Sequence, residues 1–269
     1  APINATGTVH LEVDSGKVEL DGYINAPRIT SYTNLVNIKS NKASIEQGID
    51  IVNEGGTVNI YADTYDEYVY VNKDLTVNGD ANGGTIIAPT TQAAREFQNF
   101  FNANYNVPIF FAQDANVNVS NITIDGAGAQ DLSNFGANRR LNGFGYDNAG
   151  GTIQNAVVKN ISDNNSGLSE GINAQANTTH QNCPSNDQKR HLVVKDSVIS
   201  NVRYNGISVD GNLLTVSIDG NTVTGNGNDA ERVQVGIAVQ HGATGEVNNN
   251  TVSNYLKGSS RDIWIKKAG

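Results

Sequence analysis

Carboxylates and carboxamides recur at one position of a short phrase that the chain repeats four times. The copies begin at Gly143, Gly171, Gly206 and Gly236, and their fifth residues are Asp147, Gln175, Asp210 and Gln240. The third and fifth residues of a strand point to the same side, so Asn173 and Ser208 would stand beside this row. Such side chains offer hydrogen-bond donors and acceptors in series, and a polar stripe of this kind suits a sugar chain.

Basic and aromatic residues flank the copies and could bind an acidic sugar. Arg203 and Tyr204 precede the third copy, Arg232 precedes the fourth and His241 follows it, while two long loops supply Arg139-Arg140 and Lys189-Arg190-His191. An arginine can hold a carboxylate through two parallel hydrogen bonds, and the tyrosine ring could stack on a sugar face. The alternative is structural: each cation pairs with a nearby surface acid, and the outward residues are polar because they meet water.

Lyase or epimerase chemistry on a uronic acid needs a group that neutralises the sugar carboxylate and a base that takes the C5 proton. Arg203, Lys189 or Arg190 could neutralise the carboxylate, and His241, Tyr204 or Lys189 could be the base. No tight acidic cluster falls on neighbouring copies, so no metal site is predicted. The predicted binding residues are Asp147, Asn173, Gln175, Arg203, Tyr204, Ser208, Asp210, Arg232, Gln240 and His241; the catalytic candidates, for an enzyme, are Arg203, His241 and Lys189.

The repeat itself predicts the architecture that positions these residues. A second phrase containing β-branched residues follows each copy, beginning at Asn155, Asp196, Asn221 and Asn250. Short strands repeated at this interval indicate coils that stack on one another and enclose a shared core. The 28 glycines and 39 asparagines of the 269-residue chain fit the many corners of such a stack, because both residues tolerate left-handed backbone. Phe144, Ile172, Ile207 and Ile237 would form one inward ladder.

The remaining elements are predicted from local patterns. Alternating residues on either side of 14–17 predict a β-hairpin within residues 1–40. Ile45, Ile49 and Val52 share one helical face, with Asn41 or Ser44 as the cap and Gly55-Gly56 as the stop. This helix is expected to cover the N-terminal end of the stack. Residues 90–107 are expected to form a helix packed on the outside of the coils, with a mobile lid over a groove as the alternative. Trp264 is expected to close the far end of the core.

Composition excludes some classes of partner. The net charge of −9 and the pI of about 4.8 make nucleic acid an unsuitable partner. No apolar run approaches the ~18 residues of a membrane span, so no membrane insertion is expected. The only cysteine is Cys183, which excludes an internal disulfide and carries no pattern that indicates a nucleophile.

The strand phrases resemble those of the pectate-lyase-like superfamily of right-handed parallel β-helix proteins. The resemblance covers roughly residues 41–265 and rests on the helix, the Gly-Gly pair and the strand from Thr57. It also rests on the "Asn-Gly-Ile" and "Gly-Asn-Thr-Val" phrases and on the stretch that contains Gly236 and His241. This resemblance implies an all-β, right-handed parallel β-helix with an N-terminal capping helix, over residues 41–269. Residues 1–40 would be a hairpin or cover region.

The superfamily carries lyases, esterases, epimerases and hydrolases as well as adhesins, so the resemblance is specific for fold more than for function. We expect an extracellular module that recognises an acidic glycan, such as the binding region of a bacterial surface adhesin, secreted or at the cell surface and monomeric. The alternatives are a lyase or epimerase acting on uronic-acid polymers and a structural spacer. No cofactor is expected, although calcium would be possible in a lyase.

Overall fold

The computed structural model describes residues 3–12, 16–90, 95–99, 104–164, 167–178, 188–227 and 233–265. Their structure is almost entirely β, with one short helix, and most strands run parallel in three long sheets. This arrangement is consistent with a β-solenoid. Within these ranges, no helix has the length and hydrophobicity that a membrane-spanning segment requires.

The strands are short and follow one another closely along the chain. They are β1 (Ile3–Asn4), β2 (Thr8–Leu11), β3 (Val18–Leu20), β4 (Ile24–Asn25), β5 (Arg28–Ser31), β6 (Thr33–Ile38), then after the helix α1 (Ile45–Ile51), β7 (Val52–Ile60), β8 (Asp63–Tyr65), β9 (Val69–Val71), β10 (Leu75–Asn78), β11 (Thr85–Ile87), β12 (Phe97–Gln98), β13 (Tyr105–Gln113), β14 (Asn116–Ser120), β15 (Thr123–Asp125), β16 (Arg139–Asp147), β17 (Gly150–Gln154), β18 (Val157–Ile161), β19 (Glu170–Gln175), β20 (Arg190–Lys195), β21 (Val198–Val202), β22 (Asn205–Asp210), β23 (Leu214–Asp219), β24 (Thr222–Thr224), β25 (Val235–Gln240), β26 (Thr244–Asn248), β27 (Thr251–Ser253) and β28 (Arg261–Ile265).

From β7 onward, each coil gives one strand to each of three sheets. Sheet I has the order β26-β23-β20-β17-β14-β10-β7-β6-β3, and sheet II has the order β27-β24-β21-β18-β15-β11-β8. Sheet III has the order β12-β13-β16-β19-β22-β25-β28, with β9 also paired to β13. The chain passes from sheet I to II to III and returns to sheet I one strand further along. Each strand therefore pairs in parallel with the equivalent strand of the next coil.

The predicted stacking of the four phrases is confirmed in register. Ile172 is the register partner of Ile207, which is the partner of Ile237, and Phe144 precedes them in the same row. All four side chains are fully buried. Stacking like side chains at the ~4.8 Å strand spacing fills the interior without a gap between coils, so the isoleucine of each phrase belongs to one continuous core.

The glycine that opens each phrase is required by a close approach between coils. A Cβ atom on Gly206 would lie 2.6 Å from the carbonyl oxygen of Gly236 on the next coil. The corners elsewhere use asparagine in left-handed backbone, as at Asn160 (φ 59°) and Asn201 (φ 51°). These two stack, because Nδ2 of Asn201 donates to Oδ1 of Asn160 at 2.7 Å. Asparagine therefore supplies both the turn and a hydrogen bond between coils.

The N-terminal residues continue the stack, and the hairpin prediction is wrong. β2 pairs with β5, β1 with β4 and β3 with β6, all in parallel. The two predicted hairpin strands, β2 and β3, thus lie in different sheets. Alternation alone does not distinguish a hairpin from strands that each pair with a later coil. Sheet I runs from β3 through β6 to β7 and so crosses residue 40, where the domain division stays a prediction.

The helix α1 lies between coils, whereas the sequence predicted a cover at the N-terminal end. It packs against β5 and β6, which precede it in the chain, and against β7 and β9, which follow it. The Gln47 side chain donates to the Ile24 carbonyl at 2.6 Å and accepts from its N–H at 3.0 Å. Ser44 caps the helix as expected, accepting from the N–H of Gln47. The helix ends at Ile51, and Gly55-Gly56 falls inside β7.

The predicted outer helix across residues 90–107 is also wrong where the structure describes it. Phe97 and Gln98 form β12, which pairs antiparallel with the start of β13, and Tyr105–Gln113 is a strand of sheet III. Residues 91–94 and 100–103, which include Ala93, Ala94, Phe100 and Phe101, lie outside the described residues. Phe97 is buried and stacks on Phe111, with ring centroids 5.1 Å apart. The aromatic residues of this segment therefore cover part of sheet III.

Candidate functional site

The candidate site is a groove on the outer face of sheet III, over strands β19, β22, β25 and β28. We call it the groove. It has a cavity of about 300 Å³, and the residues that line it include Arg140, Glu170, Tyr204, Asn205, Ser208, Asp210, Gln240, His241 and Trp264. Three outward rows supply most of these side chains. One contains Glu170 and Asn205, each of which directly precedes the glycine of its phrase, and the other two contain the third and fifth residues of the phrases.

The predicted row of fifth residues is confirmed in register and wrong in exposure. Asp147, Gln175, Asp210 and Gln240 are successive register partners. Gln175 is 1% exposed, and Asp147 and Asp210 are 5% and 4% exposed, although all three point away from the core. Gln175 binds Asp147 through Nε2 at 2.9 Å, and Gln113 donates to the same carboxylate at 3.2 Å. This half of the row is therefore occupied by its own hydrogen bonds.

The segment that contains β12 covers that half of the face. The side-chain Nε2 of Gln175 donates to the backbone carbonyl of Gln98 at 2.9 Å. Phe97 lies over Gly145, where an added Cβ atom would come within 2.8 Å of the ring. The absence of a side chain at Gly145 thus leaves space for the covering residue. The cover leaves the groove open toward β22, β25 and β28.

Glu170 is the most perturbed acid that lines the groove. It is 3% exposed, its Oε1 accepts from Nδ2 of Asn205 at 2.8 Å, and its Oε2 accepts from Nδ2 of Asn173. The pKa of Glu170 is raised to about 7, chiefly because burial disfavours the charged form; the negative charge of Asp210 adds to the increase, and Arg140 and the two amides oppose it. A carboxyl group with this pKa exchanges its proton near neutral pH.

Sequence reasoning missed Glu170 because strand alternation is interrupted at the glycine beside it. Gly171 and Ile172 both face inward at the corner between sheets II and III, since a Cβ atom on Gly171 would meet Ile199 and Val202 of the core. Glu170 therefore faces outward, where strict alternation places it inside. A sequence pattern could have identified Glu170: a polar residue directly precedes the phrase glycine in three copies. These residues, Asn142, Glu170 and Asn205, are register partners.

Asp210 and His241 form the second polar pair of the groove. Nδ1 of His241 lies 2.6 Å from Oδ1 of Asp210, and the Ser208 hydroxyl donates to Oδ2 of Asp210 at 3.0 Å. His241 follows the last residue of β25 in left-handed backbone (φ 53°), a conformation that is uncommon outside glycine, asparagine and aspartate. The turn directs the imidazole back onto the strand of the preceding coil. Asp210, Ser208 and His241 were all predicted site residues.

Several buried polar atoms around these acids have no hydrogen-bond partner among the described residues. They are Oδ1 of Asn205, Oδ1 of Asn173 and Nε of Arg140, and Asn205 and Arg140 line the groove. A buried polar atom without a partner costs about 1–3 kcal/mol, and native proteins retain few of them. Atoms of this kind next to a cavity favour a polar ligand that completes their hydrogen bonds.

Aromatic and aliphatic side chains form one end of the groove. Trp264 is the register partner of Ala238 and lines the groove, so the expectation that it closes the core is wrong. Ile263 and Ile265, which flank it, take the inward positions of the last coil. A second cavity of about 470 Å³ adjoins the groove and shares Tyr204 and Trp264 with it. The site therefore has a polar part and an aromatic part.

Of the predicted flanking cations, Arg140 and His241 line the groove, and the other described ones do not. The guanidinium of Arg203 donates to the backbone carbonyl of Asp163, and Arg203 is not among the residues that line the groove. Lys189 is exposed and precedes β20, a strand of sheet I, which forms a different face. Arg232 lies outside the described residues, as does Cys183. The described cation that lines the groove is Arg140, together with His241 when protonated.

Within the described part of the chain, no group of three or more histidine, cysteine, aspartate or glutamate side chains has an arrangement that could hold a metal ion. The two acids that line the groove are already bonded within the protein: Glu170 accepts from Asn173 and Asn205, and Asp210 is bound by Ser208 and His241. These carboxylates therefore do not present the free oxygen ligands that the calcium of a lyase would need. In comparisons with known proteins, no family model matches this chain, and no curated protein or solved structure matches it either.

Proposed function

We propose that this protein is a glycan-recognition module that binds a polysaccharide chain in the groove of sheet III. It would be a right-handed parallel β-helix of the pectate-lyase-like kind, secreted or at the cell surface as a monomer. The observation that carries the proposal is Asn205: it is 3% exposed, lines the groove and keeps Oδ1 without a partner among the described residues. A sugar hydroxyl can donate to that oxygen.

The composition of the groove supports a carbohydrate more than other ligands. Its polar part presents carboxylates and carboxamides from three adjacent strands, at a spacing of ~4.8 Å. Its aromatic part presents Tyr204 and Trp264. Sugars have hydroxyl groups along their edges and apolar C–H faces, so a groove with both kinds of surface can bind both parts of one ring. Tryptophan and tyrosine also pack well at interfaces that are partly wet.

The charge of the groove favours a neutral glycan over the acidic glycan expected from the sequence. Glu170 and Asp210 face Arg140 and His241, so the site has no excess of positive charge. The whole chain carries a net charge of −9, which repels a polyanion at low ionic strength. We therefore propose a hydroxyl-rich, uncharged polysaccharide as the ligand class, with uronic-acid polymers as the competing class.

The proposal is tested by calorimetric titration of the purified protein with two panels of oligosaccharides, one neutral and one rich in uronic acids. We expect saturable binding from the neutral panel, weakened at least about tenfold by Asn205→Ala, which corresponds to ~1.4 kcal/mol. Tyr32→Ala is the matched control, because Tyr32 is 85% exposed on an N-terminal coil. Binding that is confined to the acidic panel, or that is equally affected by both variants, would contradict the proposed ligand class or site.

A further inference from the structure

We propose that the groove also hydrolyses the glycosidic bond of the glycan it binds, with Glu170 as the proton donor and Asp210 as the group that activates water. This inference rests on the proposed function. It adds a reaction to the binding and names two residues that the binding alone does not require. The observations that carry it are the placement of the two acids in one cavity and the different hydrogen bonds that each acid makes.

The two acids approach the cavity from adjacent strands. Glu170 is on β19 and binds Asn173 of the same strand, and Asp210 is on β22 and binds Ser208 of the same strand. Asn173 and Ser208 are register partners, so these two hydrogen-bond partners of the acids lie about one strand spacing, ~4.8 Å, apart. Glu170 precedes Asn173 along its strand, and Asp210 follows Ser208 along the next, so the two carboxyl groups approach the cavity from opposite sides of that pair. Glycosidases that activate water directly place their two carboxyl groups roughly 6.5–9.5 Å apart, on either side of the scissile bond.

The surroundings of the two acids differ in the way the two roles need. Glu170 is buried, and burial favours its neutral form, so that it holds a proton near neutral pH. Asp210 accepts hydrogen bonds at both oxygens, from Ser208 and from the ring nitrogen of His241. Such a carboxylate is fixed in orientation and can accept a proton from water. His241 acts as a positioning residue, because it holds Asp210 through Nδ1.

The reaction balances with water as the only co-reactant. The water oxygen forms a bond to the anomeric carbon as the bond from that carbon to the bridging oxygen breaks. The proton of Glu170 passes to the bridging oxygen, which leaves as a hydroxyl group on one product. A proton of the attacking water passes to Asp210, and the other product gains a new reducing end. Return of a proton from Asp210 to Glu170 through solvent restores the starting state.

The unpaired oxygen of Asn205 is an independent indication that a ligand reaches Glu170. Nδ2 of Asn205 donates to Oε1 of Glu170, and its Oδ1 remains without a partner among the described residues. A sugar hydroxyl bonded to this oxygen would lie next to the carboxyl group of Glu170. The amide thus links recognition of the sugar to the placement of the proton donor.

The experiment measures binding and product release on the same oligosaccharides. The full chain, Glu170→Gln, Asp210→Asn and the surface control Glu246→Gln are incubated with each neutral oligosaccharide that the chain binds. New reducing ends are quantified, and near-ultraviolet absorbance is recorded for unsaturated sugars. We expect reducing ends without unsaturated product, and a loss of at least about 100-fold in rate for Glu170→Gln and Asp210→Asn with binding retained. Glu246→Gln should match the unmodified chain.

Each other outcome overturns a defined part of the account. Binding without any new reducing end overturns the hydrolysis and leaves the proposed function standing. Cleavage that Glu170→Gln does not reduce overturns the assignment of the proton donor, and unsaturated product shows elimination in place of hydrolysis. Absence of binding to every glycan overturns the proposed function itself. If Glu170→Gln does not fold, the pH profile of the unmodified chain decides: the rate should fall as the pH rises through about 7, the pKa of Glu170.

Discussion

Nδ1 of His241 lies 2.6 Å from Oδ1 of Asp210, although the two residues belong to successive coils. Asp210 ends β22, and His241 follows β25, whose last residue, Gln240, is the register partner of Asp210. The imidazole therefore reaches back across one strand spacing to bind the carboxylate. The pair fixes the orientation of Asp210 at the edge of the groove, where the carboxylate meets any ligand.

Loss of this contact should weaken ligand handling more than stability. We expect His241→Ala to fold and to melt within a few degrees of the unmodified protein, because His241 lies at the surface and packs in no core position, with 35% of its side-chain surface accessible. Its glycan affinity or cleavage rate should fall about tenfold, as for loss of one charge-assisted hydrogen bond. His191→Ala is the control, because His191 is an exposed residue of sheet I. Equal effects of the two variants on affinity and rate would argue against a role for the Asp210–His241 contact.

The stacked isoleucines should dominate the stability of the coils. Ile207→Ala removes a fully buried side chain between Ile172 and Ile237 and should lower the free energy of unfolding by about 2–5 kcal/mol. Val198→Ala is the control, because Val198 is 41% exposed on sheet II. Denaturant titration measures the free energy of unfolding of both variants. A similar small effect for the two variants would contradict the register of the core.

The close approach at the phrase glycines should also be measurable. In Gly206→Ala, the new methyl group would lie 2.6 Å from the Gly236 carbonyl oxygen, so either the strand or its neighbour must shift. We expect a loss of about 1–3 kcal/mol in the free energy of unfolding. Gly7→Ala is the control, because an added Cβ atom there meets no atom within 4 Å. A neutral Gly206→Ala change would show that the coils have more space than the structure indicates.

The buried carboxyl group should make stability depend on pH. Glu170 has a folded pKa of about 7 against an ordinary value of 4.5, so the folded state binds the proton more tightly than the unfolded state does. The contribution of Glu170 to the free energy of unfolding is fully present below about pH 4.5 and is lost as the pH rises through about 7. Between these two pH values, the free energy of unfolding of the unmodified chain should fall by on the order of 3 kcal/mol relative to that of Glu170→Gln. Parallel pH profiles for the two proteins would contradict the shift.

The register of sheet III could be predicted from sequence because the side chains of a strand alternate, and Ile172, Ile207 and Ile237 recur with the same polar neighbours. Burial of the outward residues could not, because it depends on β12, which reaches over Gly145 from a segment that local pattern assigned to a helix. Glu170 was missed for a similar reason: Gly171 forms a corner and interrupts the alternation on which the assignment relied. The corner is a property of the coil and of its neighbours, so no single strand indicates it.

The parallel pairing of the first coils is the second feature that local pattern did not predict. β2 and β3 alternate like the strands of a hairpin, yet each pairs with a strand about 20 residues later, as β2 does with β5. Parallel pairing needs a connection longer than a hairpin turn. The sequence near β2 gives no indication of which later strand will pair with it. Two of the predicted cations lie away from the groove, because Lys189 precedes a strand of sheet I and Arg203 is bound to Asp163.

The central claim, that a glycan binds in the groove of sheet III, is tested most directly by the fluorescence of Trp264. Trp264 is the only tryptophan of the chain and lines both the groove and the adjoining cavity, so its emission reports on that end of sheet III, and the Asn205→Ala variant separates the groove from the cavity. Titration with a neutral oligosaccharide should shift or quench the emission in a saturable way, with the midpoint moved at least about tenfold by Asn205→Ala and unchanged by Tyr32→Ala. Saturable binding by calorimetry with unchanged Trp264 emission would place the ligand elsewhere and contradict the account.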